Sequence, residues 1–270
     1  PVSVLLVSVF FGQYRFFISY LKKIGGRMGL VNRESNPDSY RDKSQKSEAG
    51  TAVIEQQAAG DVFTIHHPIA IGSLFTNHIA IFASGAGSNA QKIIDHFRQS
   101  GHIKISLIIC NKPGAGVLNI AARENIPAIL IDKEKFFRGN AYTDDLKKHQ
   151  IDFIILAGFL WKIPATLIKA YSGSIVNIHP ALLPKYGGKG MYGNHVHEAV
   201  IQAKEKESGI TIHYVDEQYD HGDAIFQAKC AVLENDTAES LAQRIHGLEY
   251  EHYAKVIEKI LAKRSKEKKR

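Results

Sequence analysis

Regular alternation of short apolar runs with amphipathic segments is the feature of this sequence that most constrains its fold. A strand–helix–strand rhythm of this kind produces parallel strands in one sheet, with helices packed on both of its faces. The runs predicted as strands are 79–83, 103–110, 128–131, 153–157 and 175–178. We therefore predict an α/β fold with a doubly wound, mostly parallel sheet.

The amphipathic segments between these runs predict the connecting helices, and the last third of the chain adds different elements. Helices are expected near 89–99, 115–125, 140–149, 164–171 and 195–205. Residues 209–217 and 223–232 predict an antiparallel pair of strands. Asp236 and Glu239 mark the start of a long final helix, which we expect to end near residue 261.

The first 77 residues do not follow this rhythm. Their apolar run at 1–11 is shorter than the roughly 20 residues that a membrane span needs, and Arg15 interrupts its continuation. Residues 33–60 are polar and predict a linker or disorder. We expect three parts: a poorly structured extension at 1–77, one α/β domain at 78–261 and a basic tail at 262–270. No membrane partner is expected.

The positive charge of the chain is concentrated at its end. The formal net charge is +7, and residues 262–270 contribute six positive side chains against one negative. The body at 78–261 has twenty of each sign and is neutral. A short basic tail is most often solvated and frayed. We therefore expect no nucleic-acid partner.

Both cysteines of the chain, Cys110 and Cys230, lie in apolar runs. This placement predicts buried thiols in a reducing compartment, and hence a cytoplasmic protein. The cysteines and histidines do not have the spacing of a zinc site, so we expect no metal.

The end of the fifth predicted strand carries the first candidate site. Asn177 and His179 are two residues apart in an extended run, so both side chains point to the same side, and Pro180 ends the strand. Asp220 follows in the turn between the two later strands. An amide, an imidazole and a carboxylate without a nucleophilic serine or cysteine predict direct transfer through a tetrahedral intermediate. The alternative is an ordinary strand end, with Asp220 stabilising its own turn.

The loop after the first predicted strand carries the second candidate site. Residues 84–90 fit a loose glycine fingerprint, whose backbone amides can hold a phosphate at a helix N-terminus. No Asp or Glu lies between His96 and Arg123, so the acidic residue of a dinucleotide site is missing. We predict a single phosphate monoester held by Gly87, Ser88 and Asn89, where a side chain at Gly87 would obstruct the ligand. The alternative is a plain tight turn.

The loop at 157–164 follows the fourth predicted strand and faces the same sheet edge. Its apolar residues and backbone amides suit a flat heterocycle. The alternative is core packing by Phe159 and Trp161.

Four motifs in the order found here resemble those of the phosphoribosylglycinamide formyltransferases, folate-dependent enzymes of purine biosynthesis. The resemblance covers about 78–260, and its motifs are Ala83-Ser84-Gly85-x-Gly87-Ser88-Asn89, Leu156-Ala157-Gly158-Phe159, Asn177-Ile178-His179-Pro180-x-Leu182-Leu183-Pro184, and His213-x-Val215 with Asp220. It implies a Rossmann-like formyltransferase fold. It also implies formyl transfer from 10-formyltetrahydrofolate to glycinamide ribonucleotide.

The resemblance also implies a role for each motif residue. Asn177 and His179 would stabilise the oxyanion, while Asp220 would favour protonated His179 and help to move the proton of the amine. Gly87, Ser88 and Asn89 would hold the ribonucleotide phosphate, and Glu249 would contact the glycinamide end. Residues expected to contact the folate are Leu160, Trp161, Lys162, Ile163 and Asn177.

Two relatives with the same chemistry remain as alternatives. A formyltetrahydrofolate deformylase would use water as the acceptor, but residues 1–77 lack the pattern of its usual regulatory domain. A methionyl-tRNA formyltransferase would have a large C-terminal RNA-binding domain where this chain has nine basic-tail residues. A phosphate-binding module without activity is disfavoured because Asn177, His179 and Asp220 are all present.

Overall fold

The computed structural model describes residues 77–267, which form a seven-stranded sheet covered by helices on both faces. The strand order is β3-β2-β1-β4-β5-β6-β7. The strands are β1 (Asn77–Ala83), β2 (Ile103–Cys110), β3 (Ala128–Leu130), β4 (Phe153–Leu156), β5 (Ile175–His179), β6 (Glu207–Tyr214) and β7 (Ala224–Ala231). The predicted doubly wound, mostly parallel sheet is confirmed. The predicted extension at 1–77 lies outside the described residues, except for Asn77.

Both faces of the central strands are buried, which explains why these strands are apolar throughout. Along β1, Ile79 and Ile81 pack into the core on one face, and Ala80 and Phe82 pack into the core on the other. Strands β1 to β5 pair in parallel, while β6 pairs antiparallel with β5 and β7. A strand buried on both faces has no polar alternation, as expected for parallel sheets.

Seven helices are seen in the part of the chain that the structure describes. Six of them lie near their predicted positions, and the helix that sequence reasoning missed is α3. Its N-cap residue, Asp132, accepts a hydrogen bond from the Lys135 amide, which is the local signal for this helix. The helices are α1 (Ser88–Phe97), α2 (Gly116–Arg123), α3 (Lys133–Arg138), α4 (Thr143–Lys148), α5 (Ala165–Ala170), α6 (Asn194–Gln202) and α7 (Ala238–Glu267).

The strand order brings three loops to one edge of the sheet. Strand β1 lies between β2 and β4, so the chain reverses its direction of winding at β1, and β5 follows β4. The carboxyl ends of β1, β4 and β5 are therefore neighbours. In open α/β sheets, ligands bind in the crevice at this switch point.

Helix α7 continues to Glu267, beyond its predicted end near residue 261, so residues 262–267 are not the frayed tail that we expected. The guanidinium of Arg264 donates hydrogen bonds to the Gly173 carbonyl and to Ser174 Oγ, and it lies 5.4 Å from the centre of the Phe153 ring. These contacts hold the last turns against the sheet. Within residues 77–267, no helix has both the length and the apolar character needed to cross a membrane.

Replacing Arg264 by Ala should lower the free energy of unfolding by about 1–2 kcal/mol, since it removes two charge-assisted hydrogen bonds and a cation–π contact. Urea unfolding of the full chain measures this change. Lys263→Ala is the matched control, because the Lys263 side chain is 80% exposed and should change stability by less than about 0.5 kcal/mol. Equal stability of both variants would show that the final turns do not contribute to the fold.

Candidate active site

The loops that follow β1, β4 and β5 border a cavity of about 550 Å³, a size typical of small-molecule sites. The segment 188–193 forms another wall, and α7 contributes Ala242, His246 and Glu249. The three sequence-predicted loops therefore share one cavity.

Asn177, His179 and Asp220 converge at the end of β5. The distance from His179 Nδ1 to Asp220 Oδ2 is 3.5 Å, and Asn177 Nδ2 lies 3.4 Å from Asp220 Oδ1. The imidazole of His179 is almost fully buried, while the other two side chains are partly exposed to the cavity. The structure thus brings together all three residues predicted to carry the chemistry.

The hydrogen bonds of His179 determine where its protons lie. Nε2 is 2.7 Å from the carbonyl oxygen of Tyr186, which can only accept, so Nε2 carries a hydrogen. Nδ1 faces Asp220, and a hydrogen on Nδ1 makes the ring an imidazolium beside a carboxylate. The pair can therefore hold or pass a proton at Nδ1.

His213 is a site residue that the catalytic assignment from sequence missed. Its Nδ1 donates to the Tyr214 carbonyl at 2.8 Å, so in the neutral ring Nε2 accepts the hydrogen bond from Asn177 Nδ2 at 3.1 Å. Burial lowers the pKa of His213, which keeps the ring neutral and able to accept. The pairing of β5 with β6 would have identified His213, because this register makes Asn177 and His213 direct partners on neighbouring strands.

Asp220 also anchors the segment 188–193. Its backbone has φ of 52°, in the left-handed region that Asp adopts more easily than most residues. Its Oδ2 accepts a hydrogen bond of 2.9 Å from the Gly188 amide. The carboxylate therefore fixes one cavity wall as well as facing His179.

The glycine loop, which precedes α1, forms another part of the cavity wall. No side chain caps this helix, so its first backbone N–H groups are available at the cavity wall, and Ser88 and Asn89 border the cavity there. The predicted obstruction of the ligand by a side chain at Gly87 is wrong. A Cβ at Gly87 would come within 2.9 Å of Val117 on α2, and its φ is 83°, so the glycine is required by packing and backbone conformation.

Glu249 joins the glycine loop to α7. Its Oε2 accepts hydrogen bonds of 2.9 Å from Asn89 Nδ2 and from His246 Nδ1. The carboxylate is only 5% exposed, and its hydrogen bond raises the pKa of His246. The structure thus places two of the predicted acceptor-binding residues, Asn89 and Glu249, in direct contact.

The predicted folate loop divides between two neighbouring cavities. Leu160 borders the main cavity, but its amide donates to Ser84 Oγ at 2.9 Å and is not free for a ligand. A smaller cavity of about 60 Å³ is bordered by Trp161, Lys162 and Ile163, and the two cavities share Asn177 and Asp220. Trp161 packs against Phe136, Phe137 and Phe159, so the core-packing alternative holds for its ring.

A family model described as "Formyl transferase" matches residues 77–257, which include all of the residues that border both cavities. The chain belongs to the formyl transferase family. The resemblance inferred from the four sequence motifs is confirmed.

Named members of the formyl transferase family are similar over most of the described chain. A Vigna unguiculata protein named "Phosphoribosylglycinamide formyltransferase, chloroplastic" is 38% identical over 242 residues, which are 88% of this chain and 75% of that protein. The Bacillus subtilis phosphoribosylglycinamide formyltransferase is 37% identical over 187 residues, 67% of this chain and 93% of that protein. The crystal structure of phosphoribosylglycinamide formyltransferase from Bacillus halodurans matches with a TM-score of 0.63 and 39% identity, covering 69% of this chain and 96% of that one.

The lowered pKa of His213 predicts that this formyl transferase loses stability in mild acid. The unfolded chain binds a proton on this histidine below about pH 6.5, whereas the folded chain resists it until the lower folded-state pKa is reached. Stability is therefore complete above about pH 6.5 and decreases below it. The free energy of unfolding should therefore fall as the pH is lowered below about 6.5.

His213→Gln isolates this contribution, since the other histidines titrate equally in both proteins. The slope of stability against pH should be smaller in the variant, by at most about 1.4 kcal/mol per pH unit. Parallel slopes for the two proteins would contradict the prediction.

Proposed function

We propose that this protein transfers the formyl group of 10-formyltetrahydrofolate to the amine of glycinamide ribonucleotide, a step of purine biosynthesis. The observation that carries the proposal is one cavity bordered both by Asn177, His179 and Asp220 and by an uncapped helix N-terminus. The names of the similar proteins agree with it.

The acceptor phosphate fits the N-terminus of α1. Backbone N–H groups and the positive end of the helix dipole favour an anion there, and Ser88 adds a hydroxyl. Glu249 and His246 lie beside this position and supply a carboxylate and an imidazole for the polar middle of the acceptor. The acceptor would therefore lie along the cavity, with its amine towards His179.

Formyl transfer needs one bond formed, one bond broken and one proton moved. The amine attacks the formyl carbon, the bond from that carbon to the folate nitrogen then breaks, and the amine proton passes to that nitrogen. Asn177 can turn its long hydrogen bond away from Asp220 and donate to the oxyanion, the kind of interaction that stabilises such intermediates. The His179–Asp220 pair can carry the proton between the two nitrogens.

The folate would lie where the two cavities meet at Asn177 and Asp220. Leu160 presents a half-exposed apolar side chain to the main cavity. Lys162 and Ile163 border the smaller cavity, where a flat ring would contact backbone and apolar atoms. Since the Leu160 amide is occupied, the backbone contacts would come from residues 161–163.

We also propose a reducing compartment such as the cytoplasm, since Cys110 and Cys230 are both free thiols. Two similar plant proteins are named chloroplastic, which makes a plastid the alternative. Fractionation of the source cells distinguishes these locations. Activity that is unaffected by added RNA or lipid vesicles is expected, because the substrates are small molecules.

The deciding experiment is an assay of the full chain with 10-formyltetrahydrofolate, with and without glycinamide ribonucleotide. Turnover that requires the ribonucleotide supports the proposal. Release of formate at the same rate without it would instead identify a hydrolase.

Asn177→Ala and His179→Ala should each reduce kcat by about 10²–10³, the cost of removing a group that stabilises developing charge. The affinity for folate should change little, because residues 160–163 would supply most of its contacts. His102→Ala is the control, since this exposed histidine precedes β2 at the opposite edge of the sheet. Near-wild-type kcat in either site variant would refute the assignment.

Gly85→Val should raise KM for the ribonucleotide about tenfold or more and leave KM for folate unchanged. A Cβ at Gly85 meets no atom within 4 Å and stands at the cavity wall, so the fold tolerates it while the phosphate site is narrowed. Gly101→Val is the matched control, since its Cβ also meets nothing within 4 Å but lies outside the cavity. Unchanged KM for the ribonucleotide in Gly85→Val would show that the phosphate binds elsewhere.

A further inference from the structure

One buried histidine at the cavity wall has no part in the chemistry of formyl transfer. His197 lies on α6 and is only 2% exposed, yet its ring borders the main cavity. Its Nδ1 is buried without a hydrogen-bond partner among the described residues. A buried polar group without a partner is costly, and such groups are few in folded proteins. Nε2 has no hydrogen-bond partner among the described residues either, but it is not fully buried, so a ligand in the cavity can reach Nε2.

The neighbours of His197 show where its ring lies in the cavity. The charged and titratable groups that face it are His246 and Glu249 from α7 and His179 from β5. His197 therefore has neighbours both in the group beside the proposed phosphate position, His246 and Glu249, and in the group proposed to carry formyl transfer, His179. Burial, with these two histidines, lowers its pKa and keeps the ring neutral.

A neutral imidazole has one N–H and one lone pair, and the surroundings decide which nitrogen carries the hydrogen. An orphaned buried N–H group is rarer in proteins than an under-satisfied acceptor. The hydrogen is therefore favoured on Nε2, which leaves the lone pair on buried Nδ1. The ring then presents an N–H donor to the cavity.

We infer that His197 is a binding residue for the acceptor and donates a hydrogen bond from Nε2 to the carbonyl oxygen of its glycinamide group. This inference rests on the proposed function. The glycinamide carbonyl lies between the reacting amine and the ribose, which matches the position of His197 between His179 and Glu249. The contact would orient the amine towards the formyl carbon and favour an acceptor with an amide at this position.

Steady-state kinetics of His197→Leu and His197→Gln test the inference. A hydrogen bond present in both the bound substrate and the transition state contributes to KM and not to kcat. His197→Leu should therefore raise KM for glycinamide ribonucleotide about tenfold, the effect of one neutral hydrogen bond, and leave KM for folate unchanged. Glutamine keeps an N–H at a similar distance from the backbone, so His197→Gln should recover part of this loss.

The matched control is His195→Leu, on the same helix but exposed and outside the cavity wall, which should leave both KM values unchanged. Replacing the glycinamide carbonyl of the acceptor by a thiocarbonyl, a poor hydrogen-bond acceptor, gives a second and independent readout. The wild type should discriminate against the thioamide about tenfold more strongly than His197→Leu does. A purely structural role for His197 predicts equal discrimination by both proteins.

Equal rises in both KM values for His197→Leu, or equal discrimination by wild type and variant, would overturn the inference. If His197→Leu does not fold, His197→Met, which also lacks an N–H donor, is compared with the wild type by the same two readouts. Ribonucleotide-dependent turnover by the wild type is measured first. Absence of ribonucleotide-dependent turnover would refute the proposed function. If the wild type shows this turnover but the His197 variants have the same KM values and the same discrimination, only the role of His197 is refuted.

Discussion

The antiparallel pairing of β6 with β5 is the constraint on which the candidate active site depends. It places His213 opposite Asn177 and leaves the end of β6, at Tyr214, opposite Val176 near the start of β5. The turn that follows β6 then runs back along β5. Asp220, in that turn, then reaches Asn177, His179 and the Gly188 amide. The pairing thus aligns His213 with Asn177, and the turn that follows β6 brings Asp220 to His179 and to the cavity wall at 188–193.

Helix α7 forms another wall of the same cavity. It also buries one carboxylate, that of Glu249, among apolar side chains. Every fourth residue along it is buried, and the row is Leu241, Ile245, Glu249, Tyr253, Ile257 and Leu261. Glu249 is the single charged member, and Asn89 and His246 satisfy its carboxylate. Tyr253 donates its hydroxyl to the Leu156 carbonyl, which fastens the helix to the end of β4. The core and the site are therefore built from one helix face.

The buried polar side chains of this formyl transferase differ in whether other residues of the protein supply their hydrogen-bond partners. His213 and Glu249 have protein partners, so they are stable without a ligand and support their neighbours. His197 Nδ1 has no partner among the described residues, and by our inference its Nε2 would donate to a carbonyl group of the acceptor. The difference follows from the cost of burying polar atoms, which a protein accepts where binding offsets it.

The sequence by itself determined the rhythm of strands and helices, because each element depends on periodicity among near neighbours. It also placed Asn177 and His179 on one side of a strand, since that relation needs only the two-residue repeat of an extended chain. Only the tertiary structure decided that Asp220 meets His179, that Ser84 occupies the Leu160 amide and that Arg264 holds the last turns of α7. Each of these contacts joins residues far apart in the chain; Ser84 and Leu160, for example, are separated by 76 positions. Strand order and register create such contacts, and no local pattern encodes them.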